Sequence, residues 1–182
     1  MPRLSSEIRE QIKELPKEKL EEIVVKMAAK EKSFFDFLIV NYLDKSGGEN
    51  EMFEKTKTDL DIIFAKSYKG YAEQLKLVKM LNASIKRLSE FIKICKNKEM
   101  EADLLVYILE EIFGYPYNLL GTCFTTYDTR IGIILRRLMN HVQNKMHPDH
   151  FIGYQDKINR YLTILHRTSN HIDTIYTLPK SI

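Results

Sequence analysis

The sequence predicts an all-α fold, and three observations support this prediction. Apolar residues recur at spacings of three and four along nearly the whole chain, and no stretch alternates apolar and polar residues as a strand does. Glycine and proline are scarce, at 7 and 5 of 182 residues. We expect about eight helices. Short links between successive amphipathic helices favour antiparallel neighbours, so the helices should stack as hairpins in a short α-superhelix or an irregular bundle.

A chain of 182 residues usually forms one domain and buries a substantial core. We therefore predict a single helical domain over residues 1–182, in which residues 1–45 form a semi-independent helical hairpin. The first helix is expected over residues 5–14, and the second, with Pro16 at its first position, extends to Lys30. Their apolar stripes are Leu4, Ile8, Ile12 and Leu15, then Leu20, Ile23, Val24 and Met27.

Helix-breaking residues separate the remaining helices. Ser33 and Asp36 form a capping pair for the third helix. The "SGG" at residues 46–48 is expected to break the chain, and "HPDH" at residues 147–150 is expected to form a solvated turn. The fourth to eighth helices are predicted over residues 50–68, 71–96, 99–113, 129–146 and 155–176.

The fifth of these helices is the longest, and its sequence predicts both its buried and its basic face. Three lysines spaced seven apart, Lys79, Lys86 and Lys93, form a stripe along it. The predicted buried stripe is Leu75, Val78, Ile85, Leu88 and Ile92, widened by Leu81, Phe91 and Cys95.

The stretch "GYPYNLLGTCFTTYDTR" between the sixth and seventh helices overlaps a run without charge over residues 112–127. This run is shorter than the roughly 20 apolar residues of a membrane-spanning helix. We predict a largely buried connector, with Asp128 as the N-cap of the seventh helix. The side chains expected in the core are Leu119, Leu120, Cys123 and Phe124.

Two alternatives remain open for this connector. Its aromatic residues Tyr115, Tyr117 and Phe124 are the kind that line a partner-binding groove. Cys123 is also a candidate nucleophile, with a histidine of the seventh or eighth helix as its base.

The eighth helix supplies a second candidate for chemistry. His166, Asn170 and Asp173 stand at i, i+4 and i+7, so one helical face presents a histidine and a carboxylate that suit a metal ion or an acid–base pair. A packed polar face with His166 hydrogen-bonded is the alternative that we favour. The two cysteines lack metal-ligand spacing and no established catalytic or nucleotide-binding motif is present, so no metal and no cofactor are predicted.

Basic residues suggest a nucleic-acid alternative. The net charge is only +3, but Lys and Arg outnumber Asp and Glu by 8 to 4 from Gly114 onward. Arg136 and Arg137 form a basic spot that, together with the lysine stripe of the fifth helix, suits phosphate contacts. The chain has no tryptophan, so tyrosine and arginine are expected to anchor a protein partner. The predicted partner-binding residues are Tyr115, Tyr117, Arg136 and Arg137.

Several stretches carry a resemblance to a known group of proteins. They are "LPKEKLEEIVVKMAAKEKSFFDFLIVNYLDK", "YKGY", "CKNKEMEADLLVYILE", "GTCFTTYD" and "LHRTSNHIDTIYTLPKSI". Together they resemble an uncharacterised family of small all-helical bacterial proteins over almost the whole chain. The first stretch also resembles a short helical hairpin found at the edge of larger bacterial proteins. The resemblance implies a single all-α unit and no particular activity.

These observations favour a non-enzymatic helical scaffold or adaptor that binds a protein or peptide. The alternatives are nucleic-acid binding through the fifth and seventh helices, and a small metal-dependent or hydrolytic enzyme around His166 and Asp173. The charged start "MPRLSSEIREQIKELPKEK" has no apolar core of a signal peptide, which predicts a cytoplasmic protein without membrane association. The sequence leaves the oligomeric state open.

Overall fold

A computed structural model describes residues 4–182, and within this range every regular element is helical. The all-α prediction is therefore confirmed. A π-helical segment (Ile39–Leu43) follows α3, and a short 3-10 helix (Tyr117–Leu119) follows α6. The nine α-helices of the described residues are α1 (Ser6–Lys13), α2 (Lys17–Lys30), α3 (Lys32–Leu38), α4 (Lys45–Ala65), α5 (Glu73–Ile94), α6 (Lys98–Phe113), α7 (Thr125–Lys145), α8 (Pro148–Ser169) and α9 (Asp173–Tyr176).

The chain divides into two compact units, Met1–Gly48 and Glu49–Ile182. In the first unit α3 packs against α2 and continues into the π-helical segment. In the second unit α7 packs against α5, α6 and α8, and α9 lies on α7 and α8.

Helix α6 is central to the second unit. The side chain of Asn97 caps it by accepting hydrogen bonds from the amides of Glu99 (3.1 Å) and Met100 (3.2 Å). The ring of Phe113, in its last turn, stacks on Tyr161 of α8 with the centroids 4.4 Å apart. Burial on several faces is typical of a helix inside a bundle. Its fully buried apolar residues are Ala102, Leu104, Leu105, Ile108 and Leu109.

The predicted chain break at "SGG" is wrong, because these three residues form the first turn of α4. The Asp44 carboxylate accepts a hydrogen bond from the amide of Gly47 (3.1 Å), and its carbonyl accepts one from Gly48 (2.9 Å), so Asp44 caps the helix. A Cβ at Gly48 would lie 3.2 Å from the Cα of Val40. The glycine at position 48 therefore permits a close approach of two backbones and does not end a helix.

The buried face of α5 differs from the predicted stripe. Leu88, Leu81, Phe91 and Cys95 are buried as expected, but Leu75, Val78, Ile85 and Ile92 are only half-buried. Helix α5 packs against both α6 and α7, so its buried face also includes positions outside the predicted stripe. These positions are Gln74, Leu77, Met80 and Ser84.

Three helix starts also differ from prediction. Pro16 is the N-cap of α2 and not its first residue, and α3 is preceded by Glu31 at the N-cap, so Ser33 does not cap it. The "HPDH" turn is the start of α8: His147 is the N-cap and Pro148 occupies the first turn, where a missing amide hydrogen costs nothing. The predicted eighth helix is divided, because α8 ends at Ser169 and α9 begins at Asp173.

Candidate partner-binding site

A groove between α5 and α7, in the second unit, has an apolar floor. Its cavity of about 110 Å³ is lined on α5 by Leu81, Asn82 and Ile85, and on α7 by Arg130, Ile133, Ile134 and Arg137. Leu81 and Ile134 are buried, whereas Ile133 is 46% exposed. The spacing of the α7 residues, i, i+3, i+4 and i+7, places them on one helical face. We refer to these seven residues as the α5–α7 groove.

The rim of the α5–α7 groove is basic. Arg130 is exposed and has no salt bridge or hydrogen bond within the described chain. Arg137 forms an ion pair with a buried residue: its Nη2 lies 3.0 Å from Oε1 of Glu101, which is only 5% exposed. One buried carboxylate therefore orients Arg137, while most of its guanidinium N–H donors remain available to a ligand.

A buried histidine completes this cluster. His141 is 1% exposed, its Nε2 lies 2.9 Å from the carbonyl oxygen of Lys98, and its Nδ1 lies 3.5 Å from Oε1 of Glu101. The carbonyl can only accept, so Nε2 carries the proton and Nδ1 has no hydrogen-bond partner in the described chain. Burial lowers the pKa of His141, against the opposing effects of the Lys98 carbonyl and the Glu101 carboxylate.

The basic residues that the sequence grouped are in different surroundings. Arg136 lies one residue from Arg137, and it donates to the carbonyl of Thr174 (3.1 Å) and to the hydroxyl of Thr177 (2.7 Å) in and beside α9. Arg136 therefore fastens α9 to α7, while Arg137 lines the α5–α7 groove.

The lysine stripe of α5 lies outside the groove. Lys86 and Lys93 are exposed and make no ion pair in the described chain, whereas the Lys79 ammonium donates to the carbonyl of Lys69. Lys86 directly follows the groove residue Ile85, so it projects about 100° further around the helix. These lysines add positive charge beyond one rim but do not line the cavity.

The two tyrosines proposed as partner anchors lie elsewhere. Tyr115 lines a second, wider cavity of about 520 Å³ with Tyr107, Glu110, Glu111 and Gly114. Its hydroxyl is 4.0 Å from the Met80 sulfur, and burial raises its pKa. Tyr117 is 36% exposed in the 3-10 helix. The predicted partner-binding residues are therefore not lining a single cavity.

The connector between α6 and α7 is not the buried plug that the sequence predicted. Cys123 is exposed, and Leu119, Leu120 and Phe124 are only half-buried. Its backbone is fixed instead by polar contacts: Gly121, with φ of 68°, donates its amide to Asp128. These contacts hold the connector in place, so its apolar side chains need not enter the core.

Asp128 is not the N-cap that the sequence predicted. It lies inside the first turn of α7, because the helix begins at Thr125. The residue is fully buried, and its Oδ1 also accepts a hydrogen bond from the Ser169 hydroxyl. Asp128 therefore links the connector to the end of α8.

The candidate catalytic residues have other partners or none. His166 is half-buried; its Nδ1 lies 2.8 Å from the side-chain oxygen of Asn170 and its Nε2 lies 3.1 Å from the carbonyl of Pro179. Asp173 starts α9 and is exposed, so it does not share a helix with His166. The side chain of Cys123 makes no hydrogen bond within the described chain. Among residues 4–182 no group of three or more His, Cys, Asp or Glu is placed to hold a metal ion.

The sequence did not reveal the cluster of Glu101, Arg137 and His141. Arg137 and His141 are four apart on α7, so their shared face was readable. Their acidic partner lies in a different helix, 36 residues before Arg137, and only tertiary packing shows that Glu101 is buried beside them.

Comparison with known proteins gives no match: neither a protein-family model, nor a curated protein, nor a solved structure is similar to this chain. Within the described residues, no helix has both the length and the apolar character needed to cross a membrane.

Proposed function

We propose that this protein is a non-enzymatic cytoplasmic adaptor that binds an acidic segment of a protein partner in the α5–α7 groove. The observation that carries the proposal is an apolar cavity beside Arg130, which has no partner among residues 4–182. The 110 Å³ of the cavity gives room for one aliphatic side chain. Burying such a side chain contributes about 1.5–3 kcal/mol to binding.

The charge of the rim indicates an acidic partner. Arg130 and Arg137 stand seven residues apart on α7, which separates them by about 10 Å along the helix axis. Carboxylates two turns apart on a partner helix match this separation. Guanidinium groups bind carboxylates through paired hydrogen bonds, which add orientation to the attraction.

A protein partner fits these residues better than a nucleic acid. Phosphate binding gains strength from several cations that follow one backbone path. Here Arg136 is engaged with Thr174 and Thr177, and Lys79 with the Lys69 carbonyl. The apolar floor of the groove lies between Arg130 and Arg137. A leucine side chain fills this floor, whereas a phosphate does not.

The enzyme alternative gains no support from the geometry. Both ring nitrogens of His166 have partners, and Cys123 makes no hydrogen bond to a base within the described residues. The resemblance to an uncharacterised family of bacterial helical proteins stays part of the proposal, and it supplies no activity.

Fluorescence anisotropy with a labelled peptide tests the proposal. The probe is an amphipathic peptide in which pairs of glutamates flank leucines, and a peptide with lysines in place of the glutamates is its control. We expect the acidic peptide to bind and the basic one to bind at least tenfold more weakly, because rim charges of the wrong sign repel. Arg130→Glu and Ile133→Asp should each weaken binding about tenfold.

Two surface changes on α8 serve as matched controls. Arg160 and Ile152 are as exposed as their counterparts or more so, and neither lines the groove, so Arg160→Glu and Ile152→Asp should leave binding unchanged. Equal loss in groove and control variants would contradict the proposal. Binding of a single-stranded oligonucleotide that depends on Lys86 and Lys93, with no binding of the acidic peptide, would favour the nucleic-acid alternative instead.

A further inference from the structure

The first unit exposes apolar residues that ordinary surface helices do not expose. Every residue of α1 is exposed, and so is every residue of α2 except Leu20 and Ala28, which are half-buried. Over residues 4–38 no side chain is buried. Seven of the exposed large apolar side chains lie on the stripes of α1 and α2, with these exposed fractions: Leu4 (49%), Ile8 (45%), Ile12 (41%), Leu15 (37%), Ile23 (47%), Val24 (40%) and Met27 (41%). Val25 (67%) and Phe35 (47%) are exposed away from these stripes.

Helices with such exposed apolar stripes need a packing partner. Helices of 8 and 14 residues, as α1 and α2 are, are marginal in water while their apolar stripes remain exposed. Their apolar residues follow the spacing of a single stripe on each helix, which is the pattern of a helix that packs along one side. The stripes of α1 and α2 therefore form an unoccupied docking face.

The apolar stripes of α1 and α2 carry opposite charges along their corresponding sides. Along α1, Glu7 and the C-cap residue Glu14 lie on one side of the stripe and Arg9 on the other. On α2 the side that corresponds to the glutamates carries Lys19 and Lys26. When two helices pack antiparallel, corresponding sides meet, so α1 against α2 brings glutamates to lysines.

The competing antiparallel arrangements are less favourable. Helix α1 against another α1 would place Glu7 and Glu14 beside the same two glutamates, and α2 against α2 would place lysines beside lysines. The lysines already pair within α2, at 3.1 Å and 2.6 Å from Glu22. Such exposed pairs contribute little to stability, so they do not hold the lysines away from another helix.

We propose that the first unit is a self-association element: α1 and α2 of one copy pack antiparallel on α2 and α1 of a second copy. Residues 4–38 carry 7 Lys or Arg and 8 Asp or Glu, so the face is nearly neutral and has no single-sign charge that would select a highly charged partner. In a two-fold symmetric dimer, the same contacts between the glutamates of α1 and the lysines of α2 form twice. A standard interface buries about 800 Å² on each partner, and seven half-exposed apolar side chains with their neighbours supply an area of that order.

The oligomeric state of the full chain gives the first test. We expect a dimer in size-exclusion chromatography with light scattering, and a monomer for the double variant Ile8→Glu/Ile12→Glu, with dissociation at least 100-fold easier. Glu10 and Glu18 point away from the stripes, so Glu10→Gln/Glu18→Gln should remain dimeric. Circular dichroism of each variant shows that the remaining helices are folded.

A charge exchange distinguishes pairing between copies from closure of α1 onto α2 within one chain. Variant Glu7→Lys/Glu14→Lys and variant Lys19→Glu/Lys26→Glu should each dimerise about tenfold more weakly than the unchanged protein, whereas their mixture should form a heterodimer, because each altered α1 then meets a complementary α2. A monomeric unchanged protein would overturn the proposal. So would a mixture that dimerises no better than its two components.

Discussion

The amide of Gly121 donates a 2.8 Å hydrogen bond to Oδ1 of Asp128, which joins the connector between α6 and α7 to the first turn of α7. The same carboxylate oxygen accepts from the hydroxyl of Ser169 at the end of α8. The connector, the first turn of α7 and the end of α8 therefore meet at one buried carboxylate.

Gly121→Ala should destabilise the protein by about 2–4 kcal/mol. Its φ of 68° is a left-handed conformation that disfavours side chains, and a Cβ there would overlap the carbonyl oxygen of Thr168. Urea denaturation measures the change in free energy of unfolding. Gly153, inside α8 with open space around it, is the control: Gly153→Ala should stabilise by about 0.5–1 kcal/mol. Equal effects of the two changes would contradict the packing at Gly121.

Cys123 should react quickly with a maleimide in the folded protein, because its side chain is exposed. Cys95 is 1% exposed, so its labelling requires unfolding. The measurement is the labelling rate of Cys95→Ala and Cys123→Ala, with denatured protein as reference. Cys123→Ser should leave the melting temperature within about 1 °C, since exposed substitutions change stability little. Slow labelling of Cys123 would instead support the sequence-based prediction of a buried connector.

The stability of the protein should fall as the pH drops below about 6.5. Burial lowers the pKa of His141 from its ordinary 6.5, so between the two pKa values the unfolded chain binds a proton that the folded protein does not. The free energy of unfolding therefore rises with pH through this window and reaches its full value above 6.5, with a slope of at most about 1.4 kcal/mol per pH unit.

His141→Gln should flatten this dependence, because glutamine keeps a donor for the Lys98 carbonyl and does not titrate. Urea denaturation at pH 5.5 and 7.5 measures the difference. His147→Gln changes an exposed histidine and should retain the slope of the unchanged protein. A slope that persists undiminished in His141→Gln would assign the effect to other groups.

Glu101→Ala should destabilise by about 1–3 kcal/mol, because the Arg137 guanidinium loses its charged hydrogen-bond partner but stays partly in contact with water. Glu111→Ala, on the same helix and partly exposed, should cost less than about 1 kcal/mol. Arg137→Ala combined with Glu101→Ala measures the coupling between the two residues. A double variant no different from the sum of the single ones would show that the pair is not coupled.

The sequence by itself determined that the protein is helical and where most helices lie. Helix α6, which lies between Asn97 and Gly114, agrees with the predicted range of 99–113, because a cap and a helix stop act on adjacent backbone groups and are readable locally. The predicted apolar stripes of the first two helices each follow one helical face, since a period of 3.6 residues reports the side of a helix on which apolar groups gather. Periodicity does not report what covers that side.

Tertiary structure decided the rest. The buried face of α5 turns towards Met80 and Ser84 because two helices pack against it, and Cys123 is exposed because Gly121 and Asp128 fix the connector by hydrogen bonds. Arg136 and Arg137, adjacent in sequence, point to different partners, since successive residues of a helix differ by about 100° in direction. The α5–α7 groove likewise combines residues some 50 positions apart, and their meeting depends on how helices pack, which no local spacing specifies.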